Sequence, residues 1–236
     1  MAKVLITGAN RGVGLGFVKA YLQSGNEVIA CCRKPNDAKD LQALQSEWPQ
    51  ALQILPLDVV NADHIASLKS ALQNTPIDLL INNAGVFESG GVGQKSPTFG
   101  ELDFADWQQV FAINSIAPIL IAQALHANLK MGKAPKIVAI TSKMGSIDDN
   151  QMGQYYAYRS SKAALNAAMK SLSIDVQSDG IACAVLHPGW VQTDMGGSNA
   201  AVSVAASVSG LMTVIAGLNM GNTGSFWGYD GGEIAW

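Results

Sequence analysis

Val4-Leu5-Ile6-Thr7-Gly8-Ala9-Asn10-Arg11-Gly12-Val13-Gly14 joins a short apolar run to three glycines spaced Gly-x3-Gly-x-Gly. The run has the length and β-branched character of a strand, and residues 14–24 continue in a helical pattern. Where a strand turns into a helix, missing Cβ atoms let backbone N–H groups approach a pyrophosphate at the helix N-terminus. A glycine-rich turn without a ligand is the simpler alternative, and the position directly after a strand argues against it.

Outward from this stretch the pattern repeats. Apolar runs at 27–32, 51–57, 78–82, 136–141 and 182–187 alternate with helical stretches at 38–47, 62–73, 104–129, 154–177 and 199–217, and 224–228 can close the set as a seventh strand. Strands alternating with helices predict βαβ units. The expected fold is α/β, a Rossmann-like doubly wound parallel sheet of about seven strands with helices on both faces. Residues 1–236 are expected to form a single dinucleotide-binding and catalytic domain, since no linker or low-complexity tract divides them. Hydrophobic residues make up 48% and charged residues 14% of the chain, which suits a sheet covered on both faces. Ligands of such sheets bind beyond the carboxyl ends of the strands, so loops 89–100 and 189–199 are candidate pocket walls.

The formal charge of −3 implies no partner, and without a basic stripe nucleic-acid binding is not expected. Met1-Ala2-Lys3 leads straight into a run too short for a signal peptide or a membrane span, so a cytoplasmic protein is expected. Cys31, Cys32 and Cys183 are odd in number and lie in strand-like segments, which favours buried reduced thiols over disulfides or zinc. No metal is expected.

Tyr158-Arg159-Ser160-Ser161-Lys162 places a phenol and an ammonium four residues apart on one helix face. A phenol ordinarily ionises near pH 10, too high for efficient proton exchange at neutrality, and a nearby cation such as Lys162 can lower that value. Ser142 follows an apolar run, so its hydroxyl can stand at the carboxyl end of a strand and bond a substrate oxygen. Asn114 lies in a helical pattern with Pro118 four residues later; proline has no N–H, so the Asn114 carbonyl loses its normal partner. A plain kink is the alternative. After the second strand comes Cys32-Arg33-Lys34, with no acid before Asp37, whereas an NAD site places an acid there for the ribose 2′-hydroxyl. His187 stands alone at a strand end and receives no catalytic role.

These segments, with Asn82-Asn83-Ala84-Gly85 and Pro188-Gly189-Trp190-Val191-Gln192-Thr193, resemble the short-chain dehydrogenase/reductase family along essentially the whole chain. Thr7-Gly8-Ala9-Asn10-Arg11-Gly12 and Gly228-Tyr229-Asp230-Gly231-Gly232 look most like its carbonyl-reductase and C-factor-like branch. The resemblance implies an enzyme that reduces an aldehyde, ketone or quinone with NADPH/NADP+, with Tyr158, Lys162, Ser142 and Asn114 catalytic. It implies phosphate contacts at Gly8, Asn10, Arg11, Gly12, Val13 and Gly14, and a 2′-phosphate contact at Arg33, with Arg11 near the same ribose. Asp58 and Val59 would take the adenine, and Asn83, Ala84 and Gly85 the adenosine part. Pro188, Gly189, Val191 and Thr193 would border the nicotinamide, whose ribose Lys162 would hold with Tyr158 beside it. Asn114 would bind a water linking Lys162 to solvent.

Two other activities stand beside this one. An enoyl reductase places its tyrosine seven before the lysine, where Tyr155 stands, and an NADP-binding sensor without turnover would not need this residue set. Met144, Trp190 and Met195 suggest an apolar pocket for a small-molecule carbonyl substrate. Ala163, Ala164, Ala167 and Ala168 make a small-residue face that suits either packing on the sheet or a homodimer or homotetramer.

Overall fold

The computed structural model describes residues 1–88 and 97–236. Its elements, in chain order, are β1 (Lys3–Thr7), α1 (Gly12–Gln23), β2 (Glu27–Cys32), α2 (Lys39–Glu47), β3 (Leu52–Pro56), α3 (Ala62–Ala71) and β4 (Leu79–Asn82). There follow α4 (Phe104–Phe111), α5 (Ala117–Ala124), α6 (His126–Lys130), β5 (Lys136–Ile140), α7 (Tyr156–Asp175), β6 (Ala182–His187), α8 (Val204–Gly217) and β7 (Ser225–Gly228). Among the described residues the strands form one parallel seven-stranded sheet in the order β3-β2-β1-β4-β5-β6-β7. The chain builds outward from β1 to β3, then crosses to β4 on the other side of β1. That reversal opens a crevice at the carboxyl ends of β1 and β4, directly over the glycine-rich turn.

Each strand feeds both faces, because successive side chains alternate. On β1, Val4 and Ile6 enter one core with Phe17 and Leu22 of α1, Leu41 of α2, and Leu211 and Ile215 of α8. Leu5 enters the other with Leu68 of α3, Ile121 of α5, and Leu165 and Met169 of α7. Register aligns Leu5 with Ile29 of β2 and Leu80 of β4, so the central strands are apolar on both sides. Cys31, Cys32 and Cys183 are buried free thiols within this sheet. The small face of α7 does not pack on the sheet: Leu165 and Met169 do, while Ala163, Ala164 and Ala168 are partly exposed and Ala167 is exposed. No helix among the described residues is long and apolar enough to cross a membrane.

Two helices differ from their sequence expectation. The stretch 104–129 is not continuous: Ala112–Ile116 forms a wide π turn in which the Ala117 N–H reaches the Ala112 carbonyl, and α6 restarts after Leu125. Pro118 is the second residue of α5, and the residues before it remain helical, so its missing N–H leaves a carbonyl of the preceding turn without its helical partner. The interruption the sequence places at Asn114 is therefore real, but it takes the form of an inserted residue. The stretch 199–217 becomes helical only at Val204, where the Ser203 hydroxyl caps the helix by accepting the Ala206 N–H at 3.1 Å.

Candidate active site

The glycine-rich turn is held by β4. Thr7 Oγ1 accepts the N–H groups of Asn83 and Ala84, both at 3.0 Å, while Asn83 Nδ2 donates to the carbonyls of Thr7 and Gly8 at 2.9 and 3.1 Å. Gly8 has φ 62°, and a Cβ there would lie 2.8 Å from Ala84 Cα. At Gly14 a Cβ would lie 2.3 Å from the Gly8 carbonyl oxygen, so no side chain fits. Helix α1 starts at Gly12 from an extended Arg11 that makes no capping bond, with no acid in its first turn. Val13 is half-buried and Asn10 exposed at the mouth of the turn. An uncapped N-terminus with its dipole and N–H groups open fits a pyrophosphate.

The rest of that crevice fits a phosphorylated dinucleotide. Arg33 and Lys34 are exposed after buried Cys32, with no carboxylate in the chain before Asp37. Arg11, by contrast, already has a partner: Nη1 lies 2.9 Å from Asp194 Oδ2, which joins the glycine turn to the loop after β6. The Asp58 N–H donates to His64 Nδ1 at 3.0 Å and Asp58 Oδ1 accepts the Val60 N–H at 3.3 Å, next to buried Val59. Beyond β6, Gly189 has φ 83° and packs against Tyr229. Val191 is buried and bridges to Val202, and Thr193 Oγ1 accepts the Gly196 N–H at 3.1 Å. Thr193 also lies where a Cβ on Gly12 would meet it, at 3.2 Å, which closes this loop over the glycine turn beside Pro188.

Tyr158, Lys162, Ser142 and Asn114 are all buried and converge beyond β4 and β5. Lys162 Nζ lies 5.8 Å from the centre of the Tyr158 ring and donates to the Ile140 carbonyl at 2.8 Å. Asn114 exchanges two bonds with Val86, its Oδ1 accepting the N–H and its Nδ2 donating to the carbonyl, both at 2.9 Å. Its Nδ2 also donates to Ser161 Oγ at 3.1 Å. Gly85 completes the floor, since a Cβ there would crowd Asn114 Oδ1 at 3.3 Å and Lys162 Nζ at 3.6 Å.

The electrostatics differ from the expectation that Lys162 would lower the phenol. Burial dominates and pushes Tyr158 up to about 12, opposed by a hydrogen bond from Ser142. Burial also brings Lys162 down to about 8. The pair is thus poised as a protonated phenol beside an ammonium that titrates near neutrality.

Tyr155 stands outside α7, at its N-cap in a left-handed conformation (φ 53°), and is half-buried. The sequence expects it inside a helix that begins at 154. Its position seven before Lys162 therefore does not place it on the helical face. Trp190 and Met195 are more exposed than an apolar pocket wall requires, at 51% and 38%, and the Trp190 N–H is taken by the Gly196 carbonyl. Loop 89–100, the other expected wall, lies outside the described residues from 89 to 96. His187 is half-buried and brought down to about 4 by burial, so it is neutral at pH 7. It lines a cavity of about 380 Å³ beyond β6 and β7 with Lys143, Asp230 and Glu233, which neither Tyr158 nor Lys162 reaches.

Phe87 and Glu88 carry no sequence signal, and Thr7 stands in the glycine motif without a role of its own. Thr7 orders the turn through its hydroxyl, Phe87 stacks on the Tyr158 ring, and Glu88 bonds the Tyr158 N–H. Only the adjacency of Phe87 and Glu88 to Asn82-Asn83-Ala84-Gly85 could have drawn notice to them.

Residues 2–202 match the family model for short chain dehydrogenases, and the chain belongs to the short-chain dehydrogenase/reductase family. It is 44% identical over 161 residues to C-signal of Myxococcus xanthus, covering 68% of this chain and 93% of that protein. Among solved structures it resembles NADPH-bound carbonyl reductase from chicken fatty liver, with TM-score 0.90 and 38% identity over 100% of this chain and 99% of the other. It also resembles carbonyl reductase Sniffer of D. melanogaster, with TM-score 0.91 and 36% identity over the whole of both chains.

Proposed function

We propose that this protein reduces a carbonyl group of an aldehyde, ketone or quinone to an alcohol, using NADPH. The observation that carries this reading is the burial of Tyr158, Ser142, Lys162 and Asn114 around one point beside a helix N-terminus open to phosphate. When bound, NADPH would supply the hydride for the carbonyl carbon. Tyr158 donates its phenolic proton to the carbonyl oxygen, and Ser142 bonds that oxygen and holds the phenol. Lys162, as an ammonium, stabilises the phenolate left behind. Asn114 anchors the neighbourhood of Lys162 and gives its carbonyl to a water through which the proton is replaced.

Gly8, Asn10, Gly12, Val13 and Gly14 hold the pyrophosphate, and Arg33 the 2′-phosphate, with Arg11 recruited from Asp194. Asp58 and Val59 border the adenine and Asn83, Ala84 and Gly85 the adenosine. Pro188, Gly189, Val191 and Thr193 border the nicotinamide. An enoyl reductase would use Tyr155, and the left-handed position of that residue outside α7 argues against it. A sensor would have no use for a buried Tyr158 and Lys162.

The test is a screen of NADPH oxidation over aldehydes, ketones, quinones and enones, repeated with Tyr158→Phe and Tyr155→Phe. Loss of the phenol in Tyr158→Phe is expected to lower kcat about 1000-fold, with NADPH binding retained. Tyr155→Phe is expected to keep the chemistry and move KM. Full activity of Tyr158→Phe would refute the assignment.

A further inference from the structure

Helix α7 starts under constraint. Gln154 (φ 56°) and Tyr155 (φ 53°) are consecutive left-handed residues and neither is glycine, a conformation that persists only where the surroundings impose it. Tyr155 occupies the N-cap position, and its side chain makes no capping bond. Tyr156, Ala157 and Tyr158 are the first three helical residues, whose N–H groups find no partner within the helix.

Glu88 supplies what the local sequence lacks. Its Oε2 accepts the Tyr158 N–H at 3.0 Å, from 70 positions away in the chain. The N–H of the third helical residue is one that an ordinary N-cap side chain would accept, so Glu88 caps α7 in place of its neighbour. Glu88 is 4% exposed. Burial raises its pKa, opposed by the N–H groups of Tyr158 and Ala157, and Oε1 makes no hydrogen bond.

The two preceding residues act on the same site. The Phe87 ring lies 4.4 Å from that of Tyr158, tilted by 34°, and 5.5 Å from that of Tyr155, edge-on. Val86 exchanges its two backbone bonds with Asn114. Three consecutive residues directly after Gly85 thus hold Asn114 by its amide, Tyr158 by its ring, and Tyr158 again by its backbone.

We propose that Glu88 is a positioning residue for the reaction: by capping α7 from across the sequence it fixes the backbone of Tyr158, and with it the point at which the phenol meets the substrate oxygen. The inference rests on Tyr158 being the acid. Phe87 restrains the ring from one side, whereas the Glu88 bond sets the height of the residue at the helix end.

The experiment compares Glu88→Gln, Glu88→Asp and Glu88→Ala, reading kcat and KM for NADPH oxidation and the Kd of NADPH, with Tyr158→Phe alongside. Gln keeps an acceptor at the same reach without the charge; Asp keeps the charge and falls one methylene short. The Asp and Ala variants are expected to lose about tenfold in kcat with KM and Kd within about twofold, and the Gln variant to stay within about threefold of the parent. Glu88→Asp as active as the parent, Glu88→Gln as impaired as Glu88→Ala, or a kcat loss matched by an equal loss of NADPH affinity would each overturn the proposal. Should Glu88→Ala not fold, the contrast between Gln and Asp decides. An inactive Tyr158→Phe beside fully active Asp and Ala variants overturns the role of Glu88 alone; a fully active Tyr158→Phe overturns the acid assignment and this inference with it.

Discussion

Helices α1 and α7 both start at the carboxyl edge of the sheet, and neither residue at the N-cap, Arg11 or Tyr155, makes a capping bond. Elsewhere, α3, α4 and α8 are capped in the ordinary way by Asn61, Asp103 and Ser203. The two uncapped starts at the site resolve differently. At α1 the chain supplies glycines and no acid, leaving the N–H groups and dipole available to an anion. At α7 a buried carboxylate from after β4 takes the Tyr158 N–H. An open N-terminus is a binding site, whereas a closed one is a mounting for a side chain. The first needs only local residues and the second needs the fold.

The sharpest way to break the α1 end is Gly14→Ala, because the new Cβ would lie 2.3 Å from the Gly8 carbonyl oxygen and 2.5 Å from Asn83 Nδ2. We expect NADPH affinity to fall by at least about 100-fold, about 2.7 kcal/mol, together with a lowered Tm. Isothermal titration and a melting curve check it; a Kd equal to the parent's would leave the glycines as a turn without a ligand. Next in size is the ribose end. Arg33→Asp is expected to shift the NADPH-to-NADH affinity ratio by about 10- to 100-fold toward NADH, since a carboxylate would face the 2′-phosphate. Equal Kd values for both nucleotides in the parent would remove the basis for this.

The α7 end is broken more gently. Phe87→Ala removes the ring 4.4 Å from that of Tyr158 and is expected to lower kcat about fivefold while the NADPH Kd holds, in line with about 1 kcal/mol for an aromatic pair. A parallel loss of cofactor binding would mean that residues 86–88 serve both ends alike. The pH profile sharpens the contrast further. Tyr158, pushed up to about 12, remains a protonated acid through neutrality, so the first group to titrate on raising the pH is Lys162, at about 8. Loss of its proton withdraws the charge that stabilises the phenolate, so kcat for reduction should fall about fourfold between pH 7 and about pH 8.5. A flat profile over that interval would remove Lys162 as the stabilising charge. The smallest effect belongs to Pro118→Ala. It follows directly on the π turn, where a regained N–H would take a carbonyl of that turn, and we expect about a twofold slowing of proton delivery with cofactor binding intact. Turnover unchanged across pH would reduce Pro118 to a kink.

The amino-acid sequence by itself determined the strands, their alternation with helices, the spacing of Gly8, Gly12 and Gly14, and the pairing of Tyr158 with Lys162. All of these are signals of short range: a period of two or of 3.6, a missing Cβ at a turn, four residues on one helix face. They also mark residues whose chemistry is distinctive wherever it occurs, as with Arg33 after a strand that offers no acid. The tertiary structure alone decided what depends on meeting at a distance. Glu88 reaches Tyr158 across 70 positions, Val86 reaches Asn114 across 28, and Arg11 reaches Asp194 across 183. It decided that 104–129 breaks into a π turn and that Tyr155 falls outside the helix, because those outcomes follow from packing against other elements. It also decided that burial outweighs the neighbouring charge at Tyr158, since desolvation is a property of everything that surrounds the phenol and is written in no single stretch of the chain.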